Sequence, residues 1–304
     1  MVIRKSTVNS PRIALGAMRI AGMTQKQADR YLSTALECGL NFFDHADIYG
    51  GGQSERIFGE TVKRLGIARE KLVIQSKCGI VPGKMYDLSK EHILESVDGI
   101  LERLQTDYLD LLLLHRPDAL MEPEEVAEAF DILEETGKVH AFGVSNMDPG
   151  QIELLKKYVE QPIVANQMQF SLTNASMVTE GINVNIEGHD SGVVRDGGIL
   201  NYCRRNDITI QAWSPLQFGM FAGTFLGHPD FLELNGEIDL QAEKYGLTPE
   251  GIAVAWILRH PADMQVIVGS TNPERIQNMA RAQKVKISRE DWYRLYTAAG
   301  NKLP

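Results

Sequence analysis

The chain has 304 residues, of which 43% are apolar, so it can bury a large core, and α/β barrels of this size are routinely single domains. Its formal net charge of -9 argues against nucleic acid as an obligatory partner. The three cysteines lack the spacing of a metal site and do not suggest a disulfide framework. No apolar stretch suits a signal peptide or a membrane span. These features together predict a cytoplasmic protein.

Apolar runs of strand length alternate with longer amphipathic stretches along the whole chain. The runs are Ile13 to Met18, Asn41 to Ala46, Leu72 to Lys77, Leu109 to His115, Val139 to Ser145, Ile163 to Gln169, Ile208 to Ser214 and Met264 to Ser270. Near-continuous apolar strands are typical of parallel strands covered on both faces. The alternation predicts an α/β fold, a closed (β/α)8 TIM barrel that forms one domain over residues 1–304. A doubly wound open sheet is the alternative.

The amphipathic stretches between the runs predict helices, because their apolar residues recur at helical spacing on one face. Ser89 is a candidate N-terminal cap, and Gly137 is a helix stop. The predicted helices run over Gln25 to Cys38, Ser89 to Leu104, Glu122 to Thr136 and Pro249 to about His260, and others begin near Pro149 and Pro273.

Two polar stretches interrupt the alternation. Leu172 to Gly198 is rich in Asn, Gly and Asp, and Gln217 to Leu240 contains four glycines. Long loops inside a compact domain are often functional, so both are predicted as loops over the C-terminal mouth of the barrel. The charged and polar residues of the first stretch indicate, for the most part, a solvated loop and not a metal site; they are Glu187, His189, Asp190, Arg195 and Asp196.

Three of the strand-like runs end in a polar residue that packing alone explains poorly. Asp44 closes the apolar FFD segment of the second run, Lys77 ends the third run and His115 ends the fourth, and Tyr49 follows Asp44 by five residues. Each alone has an ordinary explanation as a turn residue, a loop cap or a half-buried aromatic. Because active sites of parallel α/β folds lie at the carboxyl ends of strands, the neighbouring strand ends together predict one pocket.

These four side chains fit the reduction of a carbonyl group. An ammonium near a phenol stabilises the phenolate and lowers the pKa of the tyrosine, and a carboxylate keeps the lysine charged. The tyrosine can then act as a general acid, while the histidine donates a hydrogen bond to the substrate oxygen. Because such a site protonates the oxyanion that forms on a carbonyl carbon, a nicotinamide cofactor must supply the hydride.

In chain order, the motifs FFDHADIYG, QSK, LLLLHRP, GVSN, NQMQFS, AWSPL and VIVGSTNPERIQN resemble the landmarks of the aldo-keto reductases. The resemblance covers nearly the whole chain. It implies an NADPH-dependent reductase of aldehydes or ketones whose substrate is a small carbonyl compound. The catalytic tetrad that it implies is Asp44, Tyr49, Lys77 and His115, with Tyr49 as the proton donor.

The same resemblance implies an NADP site without a Gly-x-Gly-x-x-Gly motif. Ser145, Asn146 and Gln167 would bind the nicotinamide carboxamide, and Ser145 and Asn146 could cap the helix near Pro149, either alone or together with that role. Trp213 would stack on the nicotinamide ring, and Arg275 would bind the 2′-phosphate of NADP. The predicted cofactor residues are Gly16, Met18, Ser145, Asn146, Gln167, Trp213, Ser214, Pro215, Leu216, Phe218, Gly219, Gly269, Ser270, Thr271, Arg275 and Asn278, and no metal is predicted.

The last motif departs from the pattern of the family. Gly269 stands where many members have a Lys, which weakens the implied phosphate contacts. The spacing from Arg275 to Asn278 is also tighter by one residue than is usual. The implied preference for NADP over NAD is therefore moderate.

Other functions remain open alternatives. A redox-sensing regulatory subunit, such as the potassium-channel β subunits, would bind the cofactor without significant turnover. A Schiff-base lyase would use Lys77 as its nucleophile, but the nearby Asp44 keeps the amine protonated. A metal-dependent hydrolase is disfavoured because His45 alternates with Asp44 along the strand. The protein is expected to be a monomer or a weak homo-oligomer with no nucleic-acid or membrane partner, and the sequence does not specify its substrate.

Overall fold

The computed structural model describes residues 1–184, 186 and 193–303 of the chain. Glu187, His189 and Asp190, which the sequence analysis assigns to a solvated loop, lie outside the described residues. Within the described ranges, no helix is both long and apolar enough to cross a lipid bilayer.

Eight parallel strands close into a barrel, which confirms the predicted (β/α)8 fold. The first strand pairs with both the second and the last, so the sheet has no open edge, and the doubly wound alternative is wrong. Two short antiparallel hairpins, one within residues 80–86 and one within residues 217–224, lie outside the barrel. In chain order the strands are β1 (Ile13–Gly16), β2 (Phe42–Asp44), β3 (Val73–Cys78), β4 (Ile80–Val81), β5 (Met85–Tyr86), β6 (Leu111–Leu114), β7 (Phe142–Ser145), β8 (Ile163–Gln169), β9 (Thr209–Trp213), β10 (Gln217–Phe218), β11 (Gly223–Thr224) and β12 (Gln265–Val268).

Helices cover the outside of the barrel, and those predicted with both bounds agree with the structure to within one residue at each end. Ser89 caps its helix as predicted, because its hydroxyl accepts from the His92 amide at 3.3 Å. The helices are α1 (Gln25–Glu37), α2 (Gln53–Arg64), α3 (Lys90–Leu104), α4 (Pro123–Glu135), α5 (Pro149–Lys156), α6 (Ser176–Ile182), α7 (Ile199–Arg205), α8 (Leu232–Tyr245), α9 (Pro249–Arg259), α10 (Pro273–Arg281) and α11 (Arg289–Ala298).

The strands are buried on both faces, which explains why their sequences are almost continuously apolar. In β6, Leu112 and Leu114 belong to the large core between strands and helices, whereas Leu111 and Leu113 belong to the smaller core inside the barrel. This alternation follows from the two-residue period of a strand. The same alternation decides which polar side chains point into the barrel.

A short amino-terminal segment closes the bottom of the barrel. Val2 pairs with Asn9 in an antiparallel bridge, and Ile3 and Val8 are buried in the inner core. The first predicted strand begins at Ile13, so this segment lies outside the predicted elements.

Two stacked tryptophans join the helices α9 and α11. The rings of Trp256 and Trp292 lie 4.9 Å apart and are 9° from parallel. Each indole N–H donates to the backbone oxygen of the other residue, at 3.1 Å and 3.0 Å. These reciprocal bonds satisfy two buried donors in the outer core.

The two stretches predicted as loops carry structure of their own. The first contains α6, whose Met177 and Val178 are buried, and the second contains the β10–β11 hairpin and the beginning of α8. Leu234 and Ile238 of α8 are buried four residues apart, the spacing of one helical face. The glycines in this stretch are typical of loops, so the sequence alone does not indicate this helix.

Candidate active site

Lys77 is the centre of the candidate site, and its ammonium group is fully buried. Its Nζ lies 2.8 Å from Asp44 Oδ1, 2.7 Å from the backbone oxygen of His45 and 3.2 Å from Tyr49 Oη. A lysine ammonium has three N–H donors, so each has one acceptor. The structure thus brings together Asp44, Tyr49 and Lys77, three of the four predicted tetrad residues.

Tyr49 reaches Lys77 because the chain turns sharply after β2. Gly50, Gly51 and Gly52 all have positive φ, at 60°, 63° and 85°, a backbone region that glycine adopts readily. A Cβ atom on Gly50 would lie only 2.4 Å from the Ala21 Cβ, so this position also lacks space for a side chain. The turn leads directly into α2.

Burial and charge oppose each other at both groups of the Lys77–Tyr49 pair. Burial lowers the pKa of Lys77, but the Asp44 carboxylate and Tyr49 outweigh this effect, and the net pKa is raised. Burial, together with the Asp44 carboxylate, raises the pKa of Tyr49, Lys77 lowers it, and the net pKa is raised. The predicted lowering of the Tyr49 pKa is therefore wrong for the net value. The sequence alone does not show how deeply the phenol is buried. Tyr49 keeps its proton at neutral pH.

His115, the fourth predicted tetrad residue, follows β6 and stands edge-on to Tyr49. The two rings lie 6.1 Å apart at an interplanar angle of 83°. Burial, with Lys77 and Arg116 nearby, lowers the pKa of His115 to about 2, so the imidazole is neutral. Its buried Nδ1 has no hydrogen-bond partner among the described residues, and a proton on Nε2 avoids burying an unpaired N–H.

The three residues predicted for the nicotinamide carboxamide are linked to one another and to Trp213. Ser145 Oγ donates to the Gln167 backbone oxygen at 3.0 Å and accepts from Asn146 Nδ2 at 2.7 Å. Asn146 Oδ1 accepts from Trp213 Nε1 at 3.2 Å. The alternative role of Ser145 and Asn146 as helix caps is wrong, because Asp148 forms the capping box at the start of α5.

Asp44 also receives hydrogen bonds from two buried glutamines. Its Oδ1 accepts from Gln75 Nε2 at 2.5 Å and from Gln167 Nε2 at 3.0 Å, as well as from Lys77. Gln75 was missed as a site residue. The available signal was its position two residues before Lys77, which places both side chains on the same face of β3.

The remaining predicted cofactor residues follow the carboxyl ends of β1, β9 and β12, so they lie along one rim of the barrel. Gly16 ends β1 beside Gly269, since an added Cβ on Gly16 would lie 3.8 Å from the Gly269 Cα. Arg275 is exposed in the first turn of α10. The other residues on this rim are Met18 after β1, Ser214, Pro215, Leu216, Phe218 and Gly219 after β9, Ser270 and Thr271 before α10, and Asn278 within α10.

A second buried ion pair lies on the outer side of β3 and was also missed. Glu55 is fully buried, and its carboxylate accepts from Ser76 Oγ and from Arg103 Nε, each at 2.7 Å. Burial raises the pKa of Glu55, and the two donors oppose that shift. Because Ser76 adjoins Lys77 in β3, the pair ties α2 and α3 to the strand that carries Lys77.

Replacing Arg103 by Met is expected to lower the free energy of unfolding by about 2 to 4 kcal/mol, because it leaves a buried carboxylate oxygen without its donor. Urea unfolding monitored by circular dichroism measures the change. The matched control is Arg294→Met, which removes a 2.9 Å pair with Glu237 whose arginine is 51% exposed. That change should remove less than about 1 kcal/mol. Equal losses in the two variants would contradict the assignment of Glu55–Arg103 as a buried structural pair.

The alternatives of lyase and hydrolase chemistry receive no support from this geometry. All three donors of Lys77 are engaged and its pKa is raised, which does not suit a nucleophilic amine. His45 points away from Asp44 and packs its ring 4.6 Å from that of Phe58. Over residues 1–184, 186 and 193–303, no group of three His, Cys, Asp or Glu side chains is arranged to hold a metal ion.

Known proteins that resemble this chain include reductases and a channel subunit. The family model described as "Aldo/keto reductase family" matches residues 12–299. The 6-dehydroglucose reductase of Agrobacterium fabrum is 35% identical over 304 residues, covering 96% of this chain and 95% of that protein. A putative voltage-gated potassium channel subunit beta of Schizosaccharomyces pombe is 30% identical over 83% of this chain and 77% of that protein. A solved structure of the thermostable aldo-keto reductase Tm1743 with the inhibitor epalrestat has a TM-score of 0.76 at 28% identity and covers 97% of both chains.

Proposed function

This chain belongs to the aldo/keto reductase family, and we propose that it reduces aldehydes or ketones to alcohols with NADPH, using Tyr49 as the proton donor. It is an NAD(P)-dependent oxidoreductase by that membership. The observation that carries the finer proposal is the Lys77 ammonium, which donates to both Asp44 and Tyr49 inside one buried cluster.

The direction of the Lys77–Tyr49 hydrogen bond supports the role of Tyr49. Tyr49 Oη accepts from Lys77 at 3.2 Å, so its own O–H is available to another acceptor, which we assign to the substrate oxygen. The raised pKa of Tyr49 keeps this proton in place until an alkoxide, a much stronger base, forms beside it. The phenolate left after proton transfer would then face the Lys77 ammonium.

His115 supports the same reaction as a neutral hydrogen-bond donor. An imidazole whose pKa is lowered to about 2 carries no charge at neutral pH. With its proton on Nε2, it can polarise and orient a carbonyl oxygen without competing with Tyr49 as an acid.

The hydrogen-bonding capacity near Asn146 fits a nicotinamide carboxamide, which both donates and accepts. Asn146 donates one Nδ2 hydrogen to Ser145 and accepts from Trp213 on Oδ1, so one N–H and one lone pair are left unused by the residues that the structure describes. Gln167 Nε2 donates to Asp44 and Gln211, and within the described part of the chain its Oε1 has no donor and can accept one. When bound here, the cofactor supplies the hydride that the carbonyl carbon receives.

A phosphate can be accommodated at the start of α10. Ser270 and Thr271 precede the helix, whose first N–H groups and dipole favour an anion. Arg275 is an exposed cation in the first turn, next to Glu274. We therefore assign the 2′-phosphate of NADP to Arg275, with no lysine at Gly269 to assist it.

Replacing Arg275 by Met should weaken NADPH binding about tenfold, or by roughly 1.4 kcal/mol, and should leave NADH binding within about twofold. The reason is that only NADPH carries the 2′-phosphate. Isothermal titration calorimetry without substrate measures both affinities. The control is Arg281→Met at the other end of α10, which should change neither affinity. An equal loss for both cofactors, or no loss for NADPH, would contradict the assignment of Arg275.

The function itself is tested by following NADPH oxidation with a panel of small aldehydes and ketones. Turnover with at least one member of the panel, at a rate that depends on Tyr49, is expected. NADPH binding without turnover on any of them would instead favour a redox-sensing regulatory subunit, the second candidate. That candidate is kept because one relative bears the name of a potassium channel subunit.

A further inference from the structure

The inside of the barrel carries four glutamines. Gln75, Gln167, Gln211 and Gln265 lie on β3, β8, β9 and β12, and each is at most 3% exposed. Barrel interiors of this kind are generally filled by branched apolar side chains. A buried amide destabilises the fold unless its donors and its acceptor are paired, so these amides need partners inside the barrel.

Gln211 joins the other three glutamines. Its Nε2 donates to Gln75 Oε1 and to Gln265 Oε1, both at 2.8 Å, and its Oε1 accepts from Gln167 Nε2 at 3.2 Å. Both of its amide hydrogens are therefore in use. If this amide were reversed, its oxygen would face two oxygens and its NH2 group would face another NH2 group.

The lower end of this network is fixed by the Pro11 backbone oxygen, which can accept a hydrogen bond but cannot donate one. Gln265 Nε2 donates to the Pro11 backbone oxygen at 2.9 Å and to Ser10 Oγ at 2.5 Å. A carbonyl oxygen has no proton to give, so Gln265 must direct its NH2 group downwards and its oxygen towards Gln211. That orientation requires Gln211 to present its NH2 group.

The upper end of the network is the Asp44 carboxylate. Gln75 Nε2 and Gln167 Nε2 both donate to Asp44 Oδ1, the same oxygen that accepts from Lys77. If either amide were reversed, its oxygen would face the carboxylate and repel it. The orientation that Pro11 imposes at the bottom is thus the orientation that Asp44 needs at the top.

We propose that Gln211 is a positioning residue of the reaction: it fixes the amides of Gln75 and Gln167 so that both donate to Asp44, and it thereby holds the carboxylate against Lys77. This inference rests on the proposed function, because the proposed reaction is what gives the Asp44–Lys77 pair a catalytic role. Gln211 itself lies two residues below Trp213 on the same face of β9 and acts only through other side chains.

A displaced Asp44 would change the titration of Lys77 in a defined direction. Burial lowers the pKa of Lys77, and Asp44 is the first of the groups that oppose it. Without Asp44 at its present distance, the pKa of Lys77 falls, so the ammonium is lost at a lower pH than in the wild type. The titratable groups that surround Lys77 are Asp44 on β2, His45, Asp47 and Tyr49 after it, Glu55 on α2 and His115 after β6.

Of these groups, Asp44 is the one that the glutamine amides contact in the described part of the chain. Asp47 has its pKa raised to about 7 by burial and by Glu55, so it titrates near neutral pH with or without Gln211. A change at the alkaline end of the profile can therefore be separated from the titration of Asp47.

The experiment is the pH dependence of kcat for Gln211→Met with NADPH and an aldehyde that the wild type reduces. We expect kcat to fall about tenfold and its alkaline limb to move to lower pH by about one unit. The matched control is Gln241→Met on α8, a buried glutamine whose Nε2 donates to Glu237 at 2.8 Å and to the Asp291 backbone oxygen at 2.9 Å. Its kcat and profile should equal those of the wild type.

The possible outcomes distinguish a failure of the proposed function from a failure of the positioning role of Gln211. A wild-type protein that reduces no carbonyl compound defeats the proposed function. An active wild type, with a Gln211→Met variant whose alkaline limb stays in place, overturns the positioning role and leaves the function standing. A neutron structure of the deuterium-exchanged wild type tests the same point without any substitution. Deuterons of Gln75 and Gln167 should point at Asp44, and an amide oxygen of either one facing Asp44 would overturn the proposal.

Discussion

Replacing Tyr49 by Phe should lower kcat by about 10³-fold while changing NADPH affinity by less than about twofold. Phe keeps the ring and its edge-on packing against His115, but it lacks the O–H that we propose as the proton donor. The substitution leaves the proposed cofactor site unchanged, so the loss should lie in the chemical step. Single-turnover kinetics at saturating NADPH measure that step directly.

The matched control for this substitution is Tyr31→Phe on α1. The hydroxyl of Tyr31 is buried and has no hydrogen-bond partner among the described residues, so its removal also deletes one phenol oxygen from the core. We expect turnover of that variant to match the wild type. Retention of turnover in Tyr49→Phe would refute the assignment of Tyr49 as the proton donor.

Replacing Lys77 by Met should affect both activity and stability. Turnover is expected to fall about 10³-fold, because a phenolate at Tyr49 would form without a neighbouring cation. The free energy of unfolding should also fall by about 3 to 5 kcal/mol, because the substitution leaves the Asp44 carboxylate buried without its counter-charge. Urea unfolding and steady-state kinetics on the same preparation measure the two effects.

A control for the loss of a lysine–aspartate contact is Lys244→Met on α8. Lys244 Nζ lies 2.7 Å from Asp291 Oδ2, but the lysine side chain is 57% exposed and far along the chain from the site. Its replacement should leave turnover unchanged and should destabilise the protein much less than Lys77→Met. If both variants lost the same stability, the buried Asp44–Lys77 pair would not have the energetic role that its burial implies.

The positions of the catalytic candidates could be inferred from the sequence, because residue types suited to acid–base chemistry occur there at the ends of predicted strands. Asp44, Lys77 and His115 each come at the end of an apolar segment, and the loops that leave parallel strands converge at the carboxyl ends of those strands. The direction of the Tyr49 pKa shift could not be inferred, since it depends on burial by segments distant in the sequence.

The glutamine network could not be inferred either, for a different physical reason. Gln75 and Gln211 are 136 residues apart, and their contact depends on the closure and register of the barrel. A single strand shows only that Gln75 shares a face with Lys77. Likewise, Asp148 and Asn146 are both good helix-cap residue types, and only the backbone geometry shows that Asp148 takes this role.

The three tryptophans of this protein report on two different regions through circular dichroism and fluorescence. Trp256 and Trp292 are stacked in the helical layer, so their coupled transitions in near-ultraviolet circular dichroism report the packing of α9 against α11. Trp213 stands at the end of β9 and bonds to Asn146, so its emission senses the candidate cofactor site. Because the chain has no other tryptophan, melting of the outer layer and occupancy of the site can be followed separately in the unlabelled protein.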